Sequence, residues 1–275
     1  MGSREMYLDF FQLREHPFSI TPDPKYLYFA AHYRAAFDHL LFGITHRRGF
    51  IALTGEVGCG KSTLCRAVLE RLGGQIQSAL ILNPCLNGLQ LLRAILLDLG
   101  IPAARQDRLS QLQALNTFLL EQAASNKIVA LIIDEAQDLP KRTLEEVRLL
   151  SNLETAQQKL IQIVLSGQPE LTERLTDPSL RQLRQRITVR YHIPPMEPGD
   201  IGAYIMHRLH TAGAPETVRF TDEAVESVGR YSHGVPRLIN ALCDYALMAG
   251  FAAGQWDITD DCVRRAEAQL EGRPE

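Results

Sequence analysis

Apolar positions along this chain fall into two patterns that alternate: short uninterrupted runs, and longer stretches with helical spacing. Phe50-Ile51-Ala52-Leu53-Thr54 and Val129-Ala130-Leu131-Ile132-Ile133 are runs of the first kind and predict strands buried on both faces. Strands are expected near 50–54, 78–82, 128–134, 160–166 and 187–193, and helices near 31–43, 61–72, 88–99, 109–124, 141–151 and 169–176. Alternation of this kind means a parallel sheet with helices on both faces, a three-layer α/β domain over 31–196.

The pattern breaks at Ile193-Pro194-Pro195-Met196-Glu197-Pro198-Gly199, which sets a domain boundary near 196. Beyond it only helices are expected, near 199–212, 221–231, 236–250 and 259–270, so that 197–275 form a small all-helical domain. Thr221 and Thr259, each followed by acids, are expected N-caps. Residues 1–30 read as an arm rich in proline and aromatics. Within it His16-Pro17-Phe18-Ser19-Ile20-Thr21-Pro22-Asp23-Pro24-Lys25-Tyr26-Leu27-Tyr28 cannot hold a regular helix, because its prolines lack donors and fix φ. Met6-Tyr7-Leu8 reads as a native start, with Met1–Glu5 as an added leader.

Composition narrows the class. With 275 residues, 45% of them hydrophobic, the chain can bury a large α/β core and a second small domain. Lys and Arg number 29 against 32 Asp and Glu, a net charge of −3, so no overall basic footprint argues for nucleic acid or an anionic membrane. Five scattered cysteines without a C-x-x-C pair point away from disulfides and zinc and toward a reducing compartment. No run approaches the ~18 to 20 apolar residues that cross a bilayer.

The chemistry is concentrated in two places. Gly55-Glu56-Val57-Gly58-Cys59-Gly60-Lys61-Ser62 spells G-x-x-x-x-G-K-S between a predicted strand and a predicted helix that continues through Thr63. Glycines let successive N–H groups turn inward on phosphate oxygens, and the helix that follows aims its positive end at the same charge. Lys61 would reach the β- and γ-phosphates and the Ser62 hydroxyl would ligate Mg²⁺. A plain glycine-rich turn would account for the glycines but not for the lysine. The predicted strand at 128–134 ends in Asp134 and Glu135. Asp134 would complete the Mg²⁺ shell, and Glu135, pointing elsewhere, would polarise the attacking water as general base.

Taken with the opening residues Tyr7, Phe11, Leu13-Arg14-Glu15, Pro17-Phe18 and Thr21-Pro22-Asp23-Pro24, and with the blocks Asp134-Glu135-Ala136-Gln137 and Gly167-Gln168-Pro169-Glu170-Leu171, the chain resembles the AAA+ ATPases. Within them it is similar to the ExeA-like group, also called general secretion pathway protein A, from Met6 to about Leu270. The resemblance implies a P-loop AAA+ domain followed by a helical lid, ATP and Mg²⁺ as substrate and cofactor, and a homo-oligomer. It also implies further site residues. Gln168, with Ser166 as alternate, would be the polar sensor after the fourth strand. Arg186, then Arg184 or Arg181, would be an arginine finger for a neighbouring subunit. Arg237, in Gly234-Val235-Pro236-Arg237 at a helix start, would be the lid arginine that reaches the γ-phosphate. A solvated basic helix face competes with the finger reading, and Tyr26 and Tyr28 either close over adenine or anchor the arm.

The function implied is an ATP-driven switch assisting secretin assembly in type II secretion, or pilus or exopolysaccharide machinery. The expected location is cytoplasmic, with any membrane contact through a segment outside this chain. A DNA-associated regulator of transposition is the alternative from another class, not favoured by the charge balance. A non-hydrolysing scaffold is disfavoured by intact Lys61, Asp134 and Glu135.

Overall fold

Strands buried at every residue form the middle of the sheet, and strands with partly exposed residues form its edges. A computed structural model describes residues 3–82, 84–102 and 107–273, so the first two residues of the expected leader and the last two of the expected C-terminal domain lie outside the described residues. The first half of the chain comprises α1 (Ser3–Phe10), α2 (Ala31–Thr45), β1 (Phe50–Gly55), α3 (Lys61–Leu72), β2 (Ile76–Ile81), α4 (Gly88–Asp98), α5 (Arg108–Ala124) and β3 (Ile128–Ile133). There follow α6 (Lys141–Leu150), β4 (Gln162–Gly167), α7 (Pro169–Leu175), α8 (Arg181–Arg186), β5 (Ile187–Ile193), α9 (Pro198–Thr211), β6 (Arg219–Phe220), α10 (Asp222–Ser232), α11 (Pro236–Ala253), β7 (Asp257–Ile258) and α12 (Asp260–Leu270). These residues fall into two compact units: Arg34–Gly55 with Lys61–Ile193, and the residues up to Tyr33 with Glu56–Gly60 and those from Pro194 onward.

In the first unit the five strands pair in parallel in the order β2-β3-β4-β1-β5. Every residue of β1, β3 and β4 is buried, as the continuous apolar runs require, whereas β5 at one edge exposes Thr188, Arg190 and His192. One core contains Leu131 and Ile133 of β3, Ile163 and Leu165 of β4, Ile95 and Leu96 of α4, and Leu144 and Val147 of α6. Each such side chain contributes roughly 1.5 to 3 kcal/mol by leaving water. α2 comes close enough to the sheet that a Cβ on Gly43 would lie 2.6 Å from Ile51 Cδ1. β4 begins at Gln162 rather than 160 because Leu160 closes a preceding turn, its N–H donating to Leu153 O at 3.1 Å.

The second unit joins the arm to the C-terminal helices. Tyr7, Phe11 and Phe18 are fully buried, and Tyr7 Oη donates to Asp244 Oδ1 of α11 at 2.6 Å. Arg208 of α9, almost completely buried, donates to Pro17 O at 2.6 Å and Ser19 O at 3.1 Å, and its guanidinium lies 4.6 Å from the Tyr26 ring centre. The proline-rich stretch therefore finds partners for its carbonyls on a helix instead of within itself. Tyr26 is thereby an anchor of the arm. The C-terminal portion is helical, as expected, with one addition: β6 and β7 pair in parallel through two residues each. α1 and α8 are also elements that the sequence pattern did not predict. Thr221 caps α10 by accepting from Ala224 N at 3.3 Å, while the Thr259 hydroxyl turns to Cys262 Sγ instead of capping α12.

Candidate functional site

The carboxylates at the end of β3 are each gripped by polar side chains from neighbouring strands and helices. Asp134, 5% exposed, takes one hydroxyl on each oxygen: Ser62 Oγ of α3 donates to Oδ2, and the fully buried Ser166 Oγ of β4 donates to Oδ1 at 2.8 Å. Lys61, also 5% exposed, is the first residue of α3, and its Nζ donates to Gly55 O at 2.8 Å. A buried ammonium that donates to a backbone carbonyl, together with a buried carboxylate and a hydroxyl, gives an oxygen-rich, charged cluster in an otherwise apolar sheet end. The five-stranded order places β1, β3 and β4 side by side at the sheet's centre, which is why residues so far apart in the chain converge there.

Glu135 leaves the strand in a left-handed backbone conformation, φ 49° and ψ 40°, with its N–H held by Asp134 Oδ1 at 3.1 Å. That conformation turns its side chain away from the line of β3. Its Oε2 accepts from Gln137 Nε2 at 2.8 Å and from Gln168 Nε2 at 3.1 Å. Burial pushes the Glu135 carboxyl up, but the two amides and the charge on Lys61 outweigh it and hold the group below its ordinary value. Glu135 is therefore kept as a carboxylate, the form that accepts a proton. The two sensor alternatives from the sequence divide the work: Ser166 supports Asp134, and Gln168, at the N-cap position of α7, holds Glu135.

In the second unit, Gly58 and Gly60 of the loop have φ of +82° and +80°, the left-handed region that favours glycine. Cys59 N donates to Glu56 O at 3.2 Å, and Tyr33 Oη, deeply buried, donates to Cys59 O at 2.6 Å. Arg237, exposed in the first turn of α11, donates from its backbone N to Gly58 O at 3.2 Å. A Cβ on Gly58 would sit 2.4 Å from Arg237 Cβ, so the residue must be glycine for that approach. Glu56 and Val57 complete the loop, and Thr63 follows Ser62 in the first turn of α3.

Arg186, half-buried at the end of α8, donates to Ser151 Oγ; Arg190 Nη2 donates to Arg184 O at 2.8 Å; Arg181 is exposed. Sequence reasoning missed two residues. Tyr33 carried no local signal, and Gln137 stood in the block Asp134-Glu135-Ala136-Gln137 with no role attached to it.

Residues 44–175, from the end of α2 through α7, match the family described as AAA domain. Over 268 residues, 97% of this chain, the sequence is 44% identical to the general secretion pathway protein A of Aeromonas hydrophila. Along nearly its whole length the chain is therefore related to the general secretion pathway protein A of that organism, and its residues 44–175 match an AAA domain. It spans about half, 49%, of that relative's length. Among solved structures, this chain is similar to Cdc6p of Pyrobaculum aerophilum, with TM-score 0.72 and 19% identity over 92% of this chain and 70% of that one. It is also similar to the RuvB Holliday junction branch migration motor of Thermotoga maritima, with TM-score 0.58 and 18% identity over 86% of this chain and 68% of that one. These two likenesses show the P-loop AAA+ fold. Among the described residues no helix is long and apolar enough to cross a membrane.

Proposed function

We propose that this chain binds ATP with Mg²⁺ and hydrolyses it, as the nucleotide-driven part of an envelope machine of the general secretion type. The observation that carries the reading is the placement of Lys61, Ser62, Asp134 and Glu135 at the central strand ends, with Glu135 turned out of β3 and held as a carboxylate. An all-oxygen donor pair, the Ser62 hydroxyl and the Asp134 carboxylate already in contact, suits a hard cation such as Mg²⁺. When bound, that ion supplies charge neutralisation for the β- and γ-phosphates.

The residues then have separable tasks. Gly55 to Ser62 offer backbone N–H groups to phosphate oxygens, with Thr63 in the same helical turn, and Lys61 exchanges the Gly55 carbonyl for phosphate charge. Glu135 accepts a proton from water as the water oxygen bonds to the γ-phosphorus and the bond from that phosphorus to the β-phosphate oxygen breaks, releasing ADP, while Gln168 keeps that carboxylate in place. Arg237 answers to the γ-phosphate from the start of α11, and an arginine from Arg181, Arg184 and Arg186 serves a neighbouring subunit. Localisation on the cytoplasmic side and action on secretin or related pilus machinery rest on the 44% identity to the Aeromonas protein.

Phosphate release by the purified chain with ATP and Mg²⁺ tests this. Glu135→Gln keeps the shape of the side chain but cannot take a proton, so it should bind ATP while kcat falls by roughly 10² or more. Equal hydrolysis by wild type and Glu135→Gln overturns the assignment. Adding DNA in one arm and secretin in another separates a nucleic-acid-stimulated enzyme from an envelope one.

A further inference from the structure

One side chain ties the two halves of the hydrolytic apparatus together. Gln137 lies in the short turn after Glu135, is 8% exposed, and uses both ends of its amide. Nε2 donates to Glu135 Oε2 at 2.8 Å, and Oε1 accepts from Gln168 N at 3.1 Å. The amide orientation is fixed by these partners, since the reversed group would set oxygen against a carboxylate and NH₂ against N–H. A longer contact, Nε2 to Asp138 Oδ2 at 3.4 Å, favours the same orientation.

The close approach is built into the backbone at the end of β4. A Cβ on Gly167 would lie 2.7 Å from Gln137 Oε1, so glycine leaves the space in which that oxygen reaches the next N–H. Glu135 needs such an outside hold, because a left-handed non-glycine residue is strained and persists only when its surroundings fix it. Gln168 Nε2 reaches the same Oε2 at 3.1 Å. Both amides thus occupy one oxygen, and Oε1 is left as the proton-accepting one.

We propose that Gln137 is a positioning residue that sets the Glu135 carboxylate and the Gln168 end of β4 as one unit. The proposal rests on Glu135 being the general base, and it goes further by assigning the residue through which base and sensor are coupled. A water attacking the γ-phosphorus requires the accepting oxygen within hydrogen-bond reach, and a small displacement of it is costly in rate.

The test is steady-state phosphate release together with the Kd of a fluorescent ATP analogue, on the full chain. Gln137→Met keeps length and burial but removes both bonds; kcat should fall about tenfold, the scale of one lost hydrogen bond in the transition state, with Kd within about twofold of wild type. Gln137→Glu can still accept from Gln168 N but sets a second carboxylate against Glu135, so its kcat should fall further than that of Gln137→Met. Wild-type kcat in either variant overturns the proposal. So does a loss of nucleotide binding that matches the loss of rate in both, which marks Gln137 as a structural residue. Glu135→Gln separates the two readings: if it hydrolyses ATP at the wild-type rate the base assignment itself fails, whereas an inactive Glu135→Gln beside a fully active Gln137→Met defeats only the role of Gln137.

Discussion

At the scale of single residues, the site is an exercise in satisfying buried charge. The oxygens of Asp134, 5% exposed, need hydrogen-bond donors, and they receive hydroxyls from Ser62 and Ser166 beside the Glu135 N–H. The two serines differ in consequence. Ser62 is the residue whose oxygen would itself meet the metal, while Ser166 only orients the acid. Ser166→Ala should therefore leave ATP binding intact and raise the Mg²⁺ concentration needed for half-maximal hydrolysis by about tenfold, the scale at which outer partners of a ligand act. An unchanged Mg²⁺ titration would show that Ser62 and the Glu135 N–H suffice to place Asp134. Lys61→Ala should behave differently, losing nucleotide binding as well as turnover, because the ammonium neutralises phosphate charge in ground and transition states alike. A fluorescent-nucleotide titration that still saturates normally would contradict it.

At the scale of elements, one side chain of α9 gathers several of the contacts that hold the arm. Arg208 makes its bonds to Pro17 O, Ser19 O and, at 2.9 Å, Tyr204 Oη, all within the same unit. Removing it leaves two carbonyls and a phenol without their donor, at about 1 to 3 kcal/mol for each buried group left unsatisfied. Arg208→Ala should lower the thermal midpoint by several degrees and open the segment around Ser19 to limited proteolysis; an unaltered cleavage pattern would mean that the aromatic contacts of Tyr7, Phe11 and Phe18 suffice. The element scale is also where the sequence was most readable. β1 and β3 stood out because central parallel strands are apolar on both faces, and the loop between β1 and α3 because phosphate binding demands glycine and lysine at fixed spacing. α8 was hidden in an arginine-rich run without helical periodicity, and β6 and β7 are too short to show any period at all. Gln137 was unreadable for a different reason: its role depends on the left-handed turn at Glu135 and on the missing Cβ of Gly167, and neither is visible until β3 and β4 are side by side.

At the scale of the whole molecule, the question is what a second copy would add. α8 ends in Arg184 and Arg186 and is preceded by Leu180, with Leu183 buried to hold the helix on the core. Arg186 is engaged with Ser151 Oγ of its own subunit and feels Glu154, whereas Arg181 stands exposed in the first turn, so the three arginines differ in how much they must release before serving a neighbour. If one of them completes a neighbour's site, activity per protomer must rise with protein concentration, and the alanine variant of that arginine must bind ATP yet fail to hydrolyse it. A guanidinium of this kind is worth about 10³ to 10⁵ in rate, so the loss would be large and not graded. Mixing decides which arginine it is. Lys61→Ala has a dead phosphate loop but an intact α8, and Arg186→Ala has the reverse; combined, they should recover a fraction of wild-type phosphate release set by how often an intact loop meets an intact arginine. The same mixture made with Arg184→Ala or Arg181→Ala identifies the donor if only one of the three is both inactive alone and rescued. Concentration-independent turnover, with all three variants active, would show that hydrolysis is complete within one chain and that α8 is a solvated basic face.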